Sequence, residues 1–272
     1  MKSDFGLNGF VIIRNLLSKG EVDKLHTAME NWKQFWDHKF LVTDKAANTF
    51  DQASWNEQGE DIFGRLAGCA KTVNICEQLL NRGELYMYSG KNIMKPARTG
   101  GALMWHQDYG YWYNNRCIWP DFITCILALT KSDRENGGVQ VLKGSHLCGR
   151  IDHSLAAGQT GADLNRVALL EQRLTRVHAD LRAGDCVMFH ANTLHQSEAN
   201  RSDEKRWNLI FSYNTKENSP DLKHYNAQYS PLTRWPADAI ETCQSTEVQQ
   251  RSEWVDPNAN PNIRAVSSAD DH

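Results

Sequence analysis

The sequence predicts a mainly β protein, an antiparallel sandwich or jelly roll carrying a helical layer at its N-terminal side. Two patterns point there. From residue 84 onward, short apolar and aromatic runs (84–94, 103–108, 122–130, 138–142, 175–181, 185–190 and 207–214) are separated by Gly, Pro, Asn and Asp. That is the rhythm of consecutive strands and turns. Before it, two longer segments repeat apolar positions at helical rather than strand spacing.

Residues 5–14 (FGLNGFVIIR) read as a short strand after a turn. Residues 17–37 follow with Val22, Leu25, Ala28, Met29 and Trp32 on one helical face and Ser18 as N-cap. Residues 61–80 repeat the pattern with Ile62, Leu66, Ala70, Val73, Cys76 and Leu79. The seven β runs then build the core over about 84–214, interrupted by an insert at 150–170 with some helical character. From about 236 to 272 the chain turns rich in Gln, Ser, Asn, Asp and Pro and reads as an irregular arm. No linker breaks this order, so 272 residues are expected to form a single domain, 1–272.

Composition narrows the function classes. A formal net charge of -3 supplies no global basic field for nucleic acid. No apolar run approaches the ~18 residues of a membrane span, and the N-terminus lacks the apolar stretch and cleavage site of a signal peptide. Seven cysteines, an odd number with no CxxC pair, fit reduced thiols in the cytoplasm better than a disulfide framework or a zinc ribbon.

The strongest local signal is Trp105-His106-Gln107-Asp108. On a strand, alternation points His106 and Asp108 to the same side, two-thirds of a facial metal site. An isolated HxD is more often a structural histidine beside a carboxylate. The third ligand must come from a neighbouring strand, and residues 182–197 (RAGDCVMFHANTLHQS) offer both His190 and His195. Arg206 opens the strand RWNLIFSYN, where a guanidinium clamps a carboxylate in two places. Among its charged neighbours it reads equally as a surface residue.

Together WHQD (105–108), NGGVQVLKGSH (136–146), the GD-V-F-H run (184–190) and H-x-S-x-x-N (195–200) followed by Arg206 resemble the phytanoyl-CoA dioxygenase-like branch of the 2-oxoglutarate oxygenases, over about residues 5–214. The resemblance implies a double-stranded β-helix (jelly-roll, cupin-like) core with N-terminal helices packed on it. It implies iron(II) held by His106, Asp108 and His195, with 2-oxoglutarate and dioxygen as cosubstrates. Arg206, assisted by Ser197, would take the distal carboxylate of 2-oxoglutarate, and Gln107 and His146 match positions near the cosubstrate. His190 becomes a residue behind the metal. The retained Asp108 favours hydroxylation over the halogenation of relatives in which a small residue replaces it.

Substrate identity is less legible. Tyr109, Tyr111 and Trp112 follow the metal segment, and an aromatic cluster there suits a cationic group. Ordinary sheet packing explains it as well. Lys91 and Lys95 share a strand face, so one of them is placed to meet a carboxylate, or both are solvated edge lysines. The expectation is a dioxygenase hydroxylating a small polar or zwitterionic metabolite. The alternatives are an acyl-CoA or natural-product dioxygenase, and a non-catalytic metal-binding jelly roll. The absence of HExxH speaks against a zinc hydrolase.

Overall fold

The computed structural model describes residues 1–156, 159–221 and 228–255. Its first elements are α1 (Lys2–Asn8), β1 (Phe10–Ile13), α2 (Lys19–Asn31), α3 (Lys33–His38), β2 (Phe40–Thr43), β3 (Thr49–Trp55), α4 (Ile62–Ala67) and α5 (Ala70–Leu80). The centre follows with β4 (Leu85–Lys95), β5 (Leu103–His106), α6 (Asp108–Trp112), β6 (Phe122–Ala128) and β7 (Val139–Leu142). The insert is a hairpin, β8 (His153–Ala156) and β9 (Gln159–Ala162), with α7 (Leu164–Glu171). Strands β10 (Arg176–His178), β11 (Cys186–His190), β12 (His195–Ser197) and β13 (Arg206–Thr215) complete the core.

Two antiparallel sheets face each other. The larger runs β1-β11-β6-β13-β4-β3-β2 and the smaller β10-β7-β12-β5. Strand β13 shows how the sequence builds this. Trp207, Leu209, Phe211 and Tyr213 alternate onto the outer face and join the helices in one core, with Leu25, Met29, Phe35, Phe63 and Val73. Ile210 lies on the opposite side and packs with Ile93, Ile126, Val139 and Val141 between the sheets. Both faces of β13 are therefore buried, and only its alternating chemistry tells them apart.

Each predicted long helix is split in two. Ser18 caps α2 as expected, in a capping box whose second half is Glu21. That helix ends at Trp32, whose extended ψ of 90° turns the chain so that its ring stacks on Phe63 and meets Trp55 edge-on. The second break, between α4 and α5, sits at Gly68. A Cβ there would lie 2.0 Å from the carbonyl oxygen of Thr233, because a later segment docks on this point. Trp235 N–H donates to the Gly68 carbonyl, and Ala70 N–H donates to that of Trp235. Three further differences are α1 within the predicted first strand, and the unpredicted strands β2 and β3.

The C-terminal arm is irregular over 236–255, as expected, but it is integrated. Ile240 is fully buried against the helices, and Arg251 forms a 2.7 Å ion pair with Asp61 inside the protein. The remainder of the arm, 256–272, lies outside the described residues. Among the described residues no helix is long and apolar enough to cross a membrane.

Candidate active site

Strands β5 and β12 pair so that His106 and His195 are direct partners, with ring centroids 4.0 Å apart. Asp108 lies two residues past His106, but not on the same strand. The strand ends at His106, and Asp108 is the first residue of α6. The structure corrects the alternation reading here: Gln107 is the N-cap, and the turn into the helix brings the carboxylate round to the imidazoles.

Each imidazole is oriented by a main-chain carbonyl. Nδ1 of His106 is 2.8 Å from the Met104 oxygen, and Nδ1 of His195 is 2.9 Å from that of Thr193. A carbonyl only accepts, so both Nδ1 atoms carry the proton and both Nε2 lone pairs face the cavity. Burial lowers the pKa of both rings, strongly for His106, where the repulsion of His195 adds to it, and less for His195, where Asp108 partly opposes it. Asp108 Oδ2 accepts a 2.6 Å hydrogen bond from Thr124 Oγ1, and Oδ1 stands 3.8 Å from His195 Nε2. One potential ligand atom from each of His106, Asp108 and His195 lies within 4.8 Å of the others. Two neutral nitrogens and a carboxylate oxygen converging on one point, with their other polar atoms engaged, suit a divalent first-row metal with open positions.

The three side chains open onto a cavity of about 590 Å³ between the sheets, a volume typical of small-molecule sites. Arg206 enters it from the start of β13. The glycine turn of NGG presents the Gly137 carbonyl to Arg206 Nη1. Gly137 has φ +73°, and a Cβ there would sit 2.1 Å from the Glu198 oxygen, so the turn requires glycine. Burial pushes the guanidinium down to about 10, still charged at neutral pH. Arg206 Nε, Ser89 Oγ and Asn208 Oδ1 are buried at the cavity and find no partner among the described residues. Orphaned polar atoms of this kind leave hydrogen bonds for a polar ligand or water in the cavity to make.

Residues 5–207 match the phytanoyl-CoA dioxygenase family. The chain belongs to that family. It is similar to the L-proline trans-4-hydroxylase of Streptomyces griseoviridis, 27% identical over 235 residues that cover 80% of this chain and 87% of the relative. The ectoine dioxygenase of Stutzerimonas stutzeri is 27% identical over 237 residues, covering 79% and 76%. Among solved structures, EctD from S. alaskensis with bound Fe superposes with a TM-score of 0.72 at 20% identity over 86% of each chain. The epimerase SnoN in complex with Fe3+, alpha ketoglutarate and nogalamycin RO gives 0.67 at 24% identity, over 86% of this chain and 96% of its own. At these identities the structural likeness is one of fold, and the two-sheet core here is that jelly-roll arrangement.

Within this phytanoyl-CoA dioxygenase fold, the other residues singled out from the sequence divide into two groups. Ser197, Tyr111, Trp112 and Lys91 line the cavity with Arg206 and the triad. Gln107, His146, Tyr109 and Lys95 lie outside its lining, and each is held elsewhere. Gln107 spends its amide on the carbonyls of Gly149 and Asn192 and on the N–H of Ile151. His146 sits 3.1 Å from the Gly6 oxygen, beside the ring of His190. Tyr109 donates from its hydroxyl to the carbonyls of Cys117 and Ile118. Lys95 is fully buried behind Ser197 and donates to its Oγ at 2.8 Å. His190 turns its Nδ1 to the Asn192 N–H, away from the triad.

Sequence reasoning missed Thr124 and the part played by His153. Thr124 is the polar residue inside the apolar run FITCILA, a signal that a strand otherwise built for burial has one polar duty. His153 Nε2 accepts from the N–H of Gln107 and so fixes the turn between His106 and Asp108. Gln159 and Thr160 line the cavity, and the Tyr111 hydroxyl donates to the Thr160 carbonyl at 2.6 Å.

Proposed function

We propose that this protein is an iron(II)- and 2-oxoglutarate-dependent dioxygenase that hydroxylates a small polar or zwitterionic metabolite, in the cytoplasm and as a single catalytic domain, 1–272. The observation that carries it is one cavity holding both a His106–Asp108–His195 cluster with free ligand atoms and a buried, charged Arg206 with an unpartnered Nε. A structural metal site needs the first and has no use for the second. The relatives named as proline hydroxylase and ectoine dioxygenase support the small polar class. The seven free cysteines accord with a reducing compartment. A core shared by the N-terminal helices, the sheet and Ile240 of the arm supports the single domain.

His106, Asp108 and His195 would hold the iron, which together with 2-oxoglutarate and dioxygen supplies the oxidising chemistry, releasing succinate and carbon dioxide as a substrate C–H becomes C–OH. The chain's own part is placement. Arg206 binds the distal carboxylate of 2-oxoglutarate through a charge-assisted pair. Because Lys95 donates to Ser197 Oγ, the hydrogen of that hydroxyl is free to turn to the same carboxylate. Thr124 fixes one oxygen of Asp108 and leaves the other for the metal. Phe189, Ile126, Ile210 and Val139 give the cavity a dry apolar wall that keeps bulk water off the reacting carbon. An acyl-CoA would need several cations for its phosphates, whereas the cavity lining among the described residues offers Lys91 and Arg206. Purified protein loaded with iron(II) should turn 2-oxoglutarate into succinate in air; no release with or without candidate substrates would refute the reading.

A further inference from the structure

Lys91 is the charged residue at the cavity that the reading above leaves without a task. It sits on β4 with Ser89 and Ile93 on the face that lines the cavity, half-buried. Its Nζ lies 5.7 Å from the centroid of the Trp112 ring. Among the described residues no carboxylate pairs with it. The aromatic face that the sequence suggested for a substrate cation is thus already turned to a cation of the protein itself.

Charge bookkeeping gives Lys91 its role. The charged side chains lining the cavity, among the described residues, are Lys91, Asp108 and Arg206, apart from the neutral histidines. Iron(II) brings two positive charges and 2-oxoglutarate two negative ones, which offset each other. Asp108 offsets Arg206. The ammonium of Lys91 remains, half-buried in a space walled by Trp112, Ile93 and Ile210 and without a counter-charge of its own among the described residues. A substrate ammonium would add a second cation beside it and find no acidic side chain in the described lining other than Asp108, which the metal would take. A substrate carboxylate would neutralise it. The ring of Trp112 beneath the ammonium would limit its freedom and aim it.

We propose that the substrate is a small metabolite bearing a carboxylate, and that Lys91 receives that carboxylate while Trp112 holds the lysine in place. This rests on the dioxygenase reading and narrows its substrate class. The carboxylate then anchors one end of the substrate, and which C–H bond reaches the metal follows from its distance along the skeleton, as in any two-point site.

The test uses full-length protein loaded with iron(II) and a panel of matched pairs, each a small carboxylic acid and its primary amide, with L-proline and L-prolinamide among them. Succinate release, with or without panel members, reports on the dioxygenase reading alone; its absence under every one of these conditions overturns that reading and the proposal with it. With basal release present, at least one acid should stimulate it, at tenfold or more lower concentration than its amide. Lys91→Met should abolish that acid-over-amide preference, and Lys91→Glu should invert it. Anaerobic calorimetry of 2-oxoglutarate binding supplies the second readout. Lys91→Met should change that Kd less than threefold, against a tenfold or greater rise for Arg206→Ala. The proposal is overturned if no acid stimulates release, if amides or amines do so as well as acids, or if Lys91→Met weakens 2-oxoglutarate as much as Arg206→Ala. In the last case Lys91 belongs to the cosubstrate.

Discussion

Thr124 Oγ1 donates a 2.6 Å hydrogen bond to Oδ2 of Asp108, from the centre of the larger sheet to the first residue of α6. The same hydroxyl lies 3.1 Å from Ser212 Oγ on β13. A short chain of hydroxyls thus ties the one carboxylate of the cluster to β6 and β13, two strands buried along their whole length. Partners of this kind orient a metal ligand, and losing one typically costs 10–100-fold in metal affinity or activity. Thr124→Val keeps the shape and removes the donor. It should fold normally and bind iron(II) about tenfold or more weakly, as read by anaerobic titration. Wild-type affinity in this variant would show that α6 alone positions Asp108.

The cluster itself makes a sharper division. His106→Ala, Asp108→Ala and His195→Ala should each lose most bound iron and all succinate release. His190→Ala should keep its metal, because its ring faces Asn192 and His146 rather than the cluster. Metal analysis after gel filtration reads this directly, and the reverse result for the two distal histidines would reassign the ligand to His190.

Arg206 tests the cosubstrate half of the site. Its guanidinium is buried; Nη1 donates to the Gly137 carbonyl, and Nε has no partner among the described residues. Removing it leaves a buried carboxylate unpaired, at roughly 2–5 kcal/mol. Arg206→Ala should therefore raise the 2-oxoglutarate Kd by about one and a half to three and a half orders of magnitude and leave iron binding nearly intact. Lys95→Met should have a smaller effect of the same sign, since it frees Ser197 to donate elsewhere. Equal affinity in Arg206→Ala and wild type would move the anchor to another cation.

How much of this was legible depends on which forces set each residue. Strand β13 was readable because Trp207, Leu209, Phe211 and Tyr213 alternate with Arg206, Asn208 and Ser212, so period and chemistry agree. That His106 would meet His195 was legible only from WHQD, H-x-S-x-x-N and Arg206 taken together, since spacing alone left His190 open. Strand β3 was not, since its sequence TFDQASW mixes polar and apolar residues; Gln52 and Ser54 face the cavity rather than water. Helix α6 was also hidden. Its sequence DYGYW has poor helix propensity, and long-range contacts hold it instead, among them the bond from Tyr109 N–H to the Ala191 carbonyl. The placements of Gln107, His146 and Lys95 depend on which neighbour each side chain reaches, which no local pattern encodes.

Acid should destabilise the protein in a defined window. Burial, with the nearby His146 as the next cause, holds His190 down to about 4, and burial holds His153 down to about 4. Both ordinarily titrate near 6.5. Between those values the unfolded chain binds protons that the folded one refuses, so stability falls as the pH drops. This histidine contribution should be full above about pH 6.5, decline toward pH 4 and level off below. His190→Asn retains an acceptor for the Asn192 N–H and removes the titration. Thermal melts at pH 7.5 and 5 should show a smaller Tm difference in this variant; an unchanged difference would mean that His190 is already protonated in the fold.

The last prediction concerns how the arm is held. Arg251 and Asp61 form an ion pair with both side chains almost wholly buried. Asp61 also caps α4 by accepting from the N–H groups of Phe63 and Gly64, and its other oxygen accepts from Gln249 N–H. The carboxylate is therefore well supplied with donors, whereas Arg251 Nε has no partner among the described residues. Removing one member of a buried pair costs about 3–5 kcal/mol, because the other charge stays behind. Asp61→Asn strands the guanidinium and weakens the cap, so it should destabilise more than Arg251→Met, which leaves a carboxylate still held by three main-chain donors. Four residues along, Val255 lines the cavity and its N–H donates to the Ser54 carbonyl. Arg251→Met should thus lower the denaturant midpoint and also raise the rate of proteolytic cleavage between residues 236 and 255, with the jelly-roll core still folded. If cleavage there stays at the wild-type rate while the midpoint falls, the pair stabilises α4 and the arm is held by the burial of Ile240 and Trp254 instead.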